Sequence, residues 1–431
     1  MKKTWFTLTF TMIFVLALSV LGANFLVPLL MTKTYSQTAC LTDQITSNMD
    51  IYDIAKLYRD NRATVAVTVK GTNLSDMQSY TSLGSGVCVA SNGYETTSLD
   101  ANIVANKGSY VVTNYHVIDL VYSNEFVDKT ISVLTEDEVT YPCKLLWSDK
   151  NLDVAVLYCE ENFDYVEMRD RIVNPAEDDA LDYEPIFTIG TPLDLSFLNR
   201  LTIGEVASNN HMIMPNAEYL YPQDHDRSIL GLYNTYEDII DITVGITNGN
   251  SGGGCFDENG VLVGLTTLAL NVASTGGNQM NAIVPIYPII EVIDKLISNN
   301  ETNSTYSIYT LSKLGITGFD AYEAYYVRAF QQEDRSYPYY YFEGNFYSTI
   351  SYADEFDFSQ DGYYILSNTS TQISSLNKGN ILTKCTINGD EIQIIDRNDL
   401  IYALLQIDDG DSVMFTYIGA FSLSYNTTIQ F

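Results

Sequence analysis

The sequence predicts a mainly β protein. A barrel-forming body is closed by a helix, an α/β module follows it, and a membrane-spanning helix precedes it. Three observations carry this expectation. The first is a succession of short β-rich runs separated by Gly, Asn and Asp, beginning with the alternating Ala63-Thr64-Val65-Ala66-Val67-Thr68-Val69. The second is helix-periodic patterning confined, within this body, to Asp50–Asn61 at its start and about Tyr287–Ile297 at its end. The third is a pair of polar stretches, residues 32–49 and 298–304, that divide the chain as linkers would.

At the N-terminus, Lys2 and Lys3 precede an apolar run from Trp5 to Met31 that is broken mainly by Thr, Ser and Asn24. A bilayer core takes about 20 apolar residues in a helix. The paired lysines favour the cytoplasmic side, which places the rest of the chain outside. A signal peptide cut after Gly22 or Ala23, giving a secreted protein, is the alternative. The uncleaved anchor is favoured because Phe25-Leu26-Val27-Pro28-Leu29-Leu30 stays apolar beyond the usual length of a signal segment. The expected organisation is an anchor at 1–31 in the cell membrane, a linker at 32–49, a first domain at 50–297, a linker at 298–304 and a second domain at 305–431.

Of the 431 residues, 46% are hydrophobic, with 33 Tyr and 18 Phe, so large packed cores are expected rather than disorder. The formal net charge of −32 argues against nucleic acid and against broad adhesion to anionic lipid, both of which need clustered Lys and Arg. The six cysteines include no Cys-x-x-Cys pair. Several lie in apolar runs, such as Cys159 at the end of Val154-Ala155-Val156-Leu157-Tyr158-Cys159. Buried free thiols are favoured over disulfides, and both stay open. His211 and His225 lack ligand spacing, so neither a metal nor any other cofactor is expected.

Three strings carry chemistry. Tyr110-Val111-Val112-Thr113-Asn114-Tyr115-His116-Val117 delivers a histidine into a turn after a strand. Asn151-Leu152-Asp153-Val154-Ala155-Val156-Leu157 sets an aspartate just before an apolar strand. Asn248-Gly249-Asn250-Ser251-Gly252-Gly253 sets a serine in a glycine-rich turn. Serine is a weak nucleophile that needs an adjacent base. Histidine can take the proton and return it to the leaving amine. A buried aspartate fixes the imidazole tautomer. Glycines let the turn present the N–H groups of Gly249 and Ser251 to a developing oxyanion. Alone, each string is more simply a turn or a cap. Together, in the order His116, Asp153, Ser251, they point to a catalytic triad, with histidine and aspartate in one barrel and serine in the other.

These strings resemble the trypsin-like fold and, within it, the HtrA (DegP-like) family of serine proteases. Gly84-Ser85-Gly86-Val87, Ile189-Gly190-Thr191-Pro192, Gly204-Glu205-Val206-Ala207-Ser208, Gly260-Val261-Leu262-Val263-Gly264-Leu265-Thr266-Thr267 and Ala282-Ile283-Val284-Pro285-Ile286 extend the resemblance over most of residues 50–297. Gly254 stands where the family has proline, residues 91–107 look inserted, and residues 209–238 occupy the place of a regulatory loop. The resemblance implies a double β-barrel protease, active without a cofactor on misfolded or specific extracytoplasmic polypeptides, and admits a homotrimer. Gly245, six residues before the serine, falls at the base of the specificity pocket. It brings no acidic group to pair with a substrate Arg or Lys, and the resemblance implies small or medium aliphatic side chains at the cleavage site, with Gly264, Leu265 and Thr266 pairing with the substrate backbone.

The second domain resembles a PDZ domain through Leu314-Gly315-Ile316, Leu376-Asn377-Lys378-Gly379-Asn380-Ile381-Leu382, Ile387-Asn388-Gly389-Asp390-Glu391-Ile392, a helix at Asp399–Gln406 and the hairpin start Gly410-Asp411-Ser412-Val413. Asn380 replaces the family's aspartate, and a Tyr-rich insertion spans about 333–358. The resemblance implies capture of peptide C-termini, with Gly362, Tyr363, Tyr364 and Ile365 as the carboxylate-binding segment. A competing expectation from another class is a membrane-tethered peptide-binding or chaperone protein that cleaves little.

Overall fold

The computed structural model describes residues 39–91, 108–150, 152–169, 183–211, 239–271, 279–302, 307–320, 339–342, 345–348, 361–370, 373–395, 397–419 and 423–431. The expected anchor, His225, and most of the segments 91–107 and 209–238 lie outside them. Among the described residues no helix is long and apolar enough to cross a membrane.

The first strands are β1 (Thr64–Asn73), β2 (Ser79–Ser91) and β3 (Ser109–Thr113), followed by the short helix α2 (Tyr115–Ile118), which comes after α1 (Ile51–Arg59) in chain order. With β4 (Phe126–Leu134), β5 (Thr140–Asp149) and β6 (Val154–Cys159), the strands close a barrel in the order β1-β2-β3-β6-β5-β4. Its interior is a cluster that includes Val65, Val67, Val69, Val111, Val133 and Leu157. Each such side chain contributes roughly 1.5–3 kcal/mol by leaving water. β3 and β6 are buried along their whole length, and β6 accordingly reads as an unbroken apolar run rather than an alternating one.

The second barrel comprises β7 (Pro185–Gly190), β8 (Arg200–His211), β9 (Ile239–Ile242), β10 (Gly254–Asp257), β11 (Leu262–Asn271) and β12 (Gln279–Pro285), closed as β10-β11-β12-β9-β8-β7. Helix α1 starts at Asp50, whose side chain accepts from the Asp53 N–H. It buries Ile54, Ala55 and Tyr58. Tyr58 packs edge-on against Phe187 and Phe256 and donates its hydroxyl to the Gly260 carbonyl at 2.7 Å, tying this helix to the second barrel.

Two expectations change here. Part of the stretch read as a linker is built into the fold: Leu41 is fully buried, its N–H donates to Tyr165 O at 2.8 Å, and the Tyr165 N–H donates back to Ala39 O. Cys159 is not a free thiol. It is disulfide-bonded to Cys143, directly opposite it across β5 and β6 with Cα atoms 4.5 Å apart. That is the separation of a non-hydrogen-bonded antiparallel pair, where side chains come closest. Cys88, Cys255 and Cys385 are buried free thiols.

After the barrels, α3 (Ile290–Thr302) carries its helix into the expected second linker, and α4 (Leu311–Leu314) follows. The C-terminal region comprises β13 (Ile316–Asp320), the hairpin β14 (Tyr339–Phe342) and β15 (Asn345–Ser348), then β16 (Tyr363–Asn368), β17 (Ile381–Ile387), β18 (Asp390–Gln393), α5 (Arg397–Gln406), β19 (Ser412–Ile418) and β20 (Ser424–Gln430). Its sheet runs β13-β16-β17-β19-β20, with β18 on β17. α3 and α5 meet through Lys295, a buried lysine whose ammonium donates to the carbonyls of Leu405 (2.7 Å) and Ile407 (2.8 Å) and pairs with Asp408 (3.1 Å). A cation at a helix C-terminus satisfies carbonyls that lack intrahelical donors.

Candidate active site

Asp153 lies in the turn that feeds β6, with φ of +49°. Aspartate tolerates this left-handed conformation better than most side chains. The turn aims the carboxylate back at α2, where Asp153 Oδ1 accepts the His116 backbone N–H at 3.0 Å. The His116 ring nitrogen Nδ1 lies 2.8 Å from Asp153 Oδ2. An ionised carboxylate only accepts, so Nδ1 carries the proton and Nε2 is left as the base. The Asp153 carbonyl in turn accepts from the Tyr115 N–H and from Asn114 Nδ2, both at 3.0 Å. Both faces of Asp153 are therefore bound to the segment that carries His116.

Burial by itself would lower the His116 pKa. The charge and hydrogen bond of Asp153, with a smaller contribution from Asp119, outweigh it and raise the value above the ordinary 6.5. Thr267, on β11, donates its hydroxyl to Asp153 Oδ2 at 3.0 Å. Its carbonyl accepts the Ser251 hydroxyl at 3.2 Å. This threonine thus touches both halves of the site. It closes the Gly260–Thr267 string in the sequence, but nothing local marks it as a partner of Asp153.

Ser251 sits in the turn before β10. Close packing brings it beside the histidine segment. A Cβ at Gly84 would lie 2.5 Å from Val117, the neighbour of His116, and 3.0 Å from the Ser251 carbonyl. A Cβ at Gly252 would lie 2.2 Å from Ser85 O and 3.1 Å from Asn114 N. In this structure the Ser251 hydroxyl points to Thr267 O, and among the described residues no hydrogen bond joins it to His116. Catalytic hydrogen bonds are often loose before substrate binds.

Residues Thr247 to Asn250 form a turn closed by the Asn250 N–H on Thr247 O at 3.0 Å, with Gly249 at φ +93°. Among the described residues, the N–H groups of Gly249 and Ser251 have no acceptor. Leu193 donates its N–H to the Asn248 carbonyl at 2.7 Å, which turns that carbonyl away and leaves the Gly249 N–H on the opposite side of the peptide. Gly245 is exposed, and a side chain there would meet open space.

The strand segments expected to bind peptides need correcting. Gly264 and Leu265 are already paired on both edges, with Cys255 and Gly254 of β10 and with Pro285 and Val284 of β12. The Thr266 N–H donates to Gly253 O. No backbone edge is free there for a substrate. β10 ends its pairing with β11 at Leu265, so beyond Thr266 and up to Asn271 β11 pairs, among the described residues, only with β12. Tyr363, Tyr364 and Ile365 likewise lie in an interior strand, fully buried, with β16 paired to β13 on one side and β17 on the other. Gly362 donates its N–H to Ile395 O. Among the described residues, β13 and β20 end the main strand order of this sheet, and β18 pairs only with β17.

Comparison with known proteins agrees with this geometry. Residues 84–265 match the model of the trypsin-like peptidase domain. The chain is 24% identical over 240 residues to the serine protease Do-like HtrA of Lactococcus lactis subsp. cremoris, covering 55% of this chain and 53% of that protein. It is 30% identical over 213 residues to the periplasmic serine endoprotease DegP of Escherichia coli K12, covering 48% of this chain and 34% of that protein. The match thus spans about half the length of the first relative and a third of the second. Among solved structures, the HtrA-type protease AlgW with a decapeptide aligns over 87% of this chain and 96% of that one, at 17% identity and a TM-score of 0.49. The double barrel and its site are thus similar, over residues 84–265, to a trypsin-like peptidase domain. The relatives that the chain resembles are HtrA-type and DegP-type serine proteases.

Proposed function

We propose that the protein is an HtrA-type serine endopeptidase. Ser251 is the nucleophile, His116 the general base and then acid, and Asp153 the group that orients and stabilises the imidazolium. Ser251 Oγ attacks the scissile carbonyl as its proton passes to His116 Nε2. The oxyanion is held by the N–H groups of Gly249 and Ser251, the amine leaves with the proton from His116, and water repeats the sequence on the acyl-enzyme. The observation that carries this reading is Asp153: one carboxylate bonds the His116 ring, the His116 backbone and Thr267, and Thr267 in turn accepts from Ser251.

Gly245 supports a pocket without a charged base, suited to small or medium aliphatic side chains. The edge of β11 beyond Thr266, unpaired among the described residues, suits addition of the substrate as a strand. Residues 305–431 fit a PDZ-like domain, with peptide C-termini adding at the outer strand β13 rather than at Gly362–Ile365. Lys2-Lys3 and the apolar run support a membrane-anchored chain acting outside the cytoplasm on misfolded or specific polypeptides. A homotrimer acting without a cofactor completes the proposal, as the sequence resemblance implies. A fluorophosphonate probe tests the reading: the wild-type chain should be labelled and Ser251→Ala should not. The Thr267-directed hydroxyl favours, as a second reading, a tethered peptide-binding protein that cleaves little. No labelling of the folded wild type would select it.

A further inference from the structure

Ser85 lies in β2 of the first barrel, yet its polar atoms are spent mainly on the second. Its N–H donates to the Ser251 carbonyl at 2.7 Å. Its hydroxyl donates to the Gly249 carbonyl at 2.8 Å and accepts the Thr191 N–H, at the end of β7, also at 2.8 Å. Its own carbonyl accepts the Thr113 hydroxyl at 2.7 Å, two residues before the histidine turn begins at Tyr115. The residue is 1% exposed, so water cannot replace these bonds. Glycines at 84, 190 and 252 let the backbones close around it, and a Cβ at Gly190 would lie 3.2 Å from the Ser85 hydroxyl.

The two carbonyls it holds flank the nucleophile turn. Fixing Gly249 O and Ser251 O fixes the 249–250 and 251–252 peptide planes, which flank the 250–251 peptide that carries the Ser251 N–H. We propose that Ser85 is a positioning residue for catalysis: its hydroxyl sets the nucleophile turn of one barrel in register with the histidine of the other. The proposal rests on the serine-nucleophile reading above. It makes Ser85 act through Gly249 and Ser251, without touching substrate. Without the hydroxyl, Gly249 O and Thr191 N–H are left buried and unpaired, and the turn can relieve this only by moving. Displacement of reacting groups by about 1 Å can cost about 100-fold in rate.

The test uses the full chain and a fluorophosphonate probe, with the maximal labelling rate and the half-saturating probe concentration measured separately. Ser85→Ala should lower the maximal rate about 10- to 100-fold, with half-saturation unchanged. Thr68→Ala controls for simple loss of a barrel hydroxyl, since Thr68 Oγ1 bonds Ser132 Oγ at 2.8 Å within the first barrel. It should leave the rate as in wild type. Ser85→Cys, of similar shape and with a weaker donor, should fall between wild type and alanine. It takes the place of the alanine variant if that variant does not fold. A labelled wild type with equal rates in Ser85→Ala or Ser85→Cys would overturn this inference alone. A folded wild type that resists labelling would overturn the serine-nucleophile reading and this inference together.

Discussion

The two barrels hold their parts of the site differently. In the first, the histidine–aspartate pair is held mainly from within: Asp153 reaches His116 across the short distance between the β6 turn and α2, Asn114 and Tyr115 lock it there, and Thr267 adds one bond from the second barrel. In the second, the serine turn is steadied from outside, by Ser85 of the first barrel, and opened by Leu193 of the preceding loop. Most bonds that set the acid–base half therefore come from its own barrel. The nucleophile half depends on how the barrels meet.

The comparison can be broken at each half. The largest effect expected is that of Ser251→Ala, on the order of 10⁶-fold in kcat, since without a nucleophile only binding and the oxyanion site remain. Cleavage of an unfolded protein, followed by mass spectrometry of the products, measures it. Retained cleavage would place the nucleophile elsewhere.

Asp153→Asn leaves the left-handed turn tolerable but sets the wrong imidazole tautomer, and should cost on the order of 10⁴-fold in kcat. The pH profile sharpens the assignment. Catalysis needs neutral His116, and its pKa is raised, so kcat/KM should climb with pH to a midpoint above 6.5. In Asp153→Asn the midpoint should fall, because burial then acts without the opposing carboxylate. The stability linkage has the opposite sense. Because the folded value is raised, the stabilisation that protonated His116 gains from Asp153 is fully present below its unfolded pKa and is lost as pH rises through the folded value.

The disulfide separates stability from activity. Cys143 and Cys159 enclose a sequence separation of 16, for which chain entropy gives about 3 kcal/mol. The paired variant Cys143→Ser, Cys159→Ser should unfold at lower denaturant by about that amount and keep its kcat, since the bridge touches no site residue. A large loss of kcat at a temperature where the variant is folded would show that the bridge also orders the site.

The smallest effect is at Thr267→Val, which keeps the shape and removes the donor to Asp153. A fall in kcat of about 10-fold is expected, the value of one hydrogen bond to a charged group. An unchanged rate would show that the first barrel holds its carboxylate unaided.

The residue types and the order of the three chemical strings, the apolar runs that become β3 and β6, and the helices α1 and α5 were legible along the chain. Each depends on near neighbours: a turn glycine, an alternation, a cap. Three features were not legible. The bond between Cys143 and Cys159 depends on which residues of β5 and β6 stand opposite one another, a register that bulges shift without a local mark. The edges at β11 and β13, free among the described residues, depend on where neighbouring strands stop, so Gly264, Leu265, Tyr363 and Tyr364 looked available in one dimension and are enclosed in three. Ser85 and Thr267 act on residues 164 and 114 positions away. A serine in a strand looks the same in sequence whether its hydroxyl meets a neighbouring strand or the turn of another barrel. Only the closing of one barrel against the other decides which.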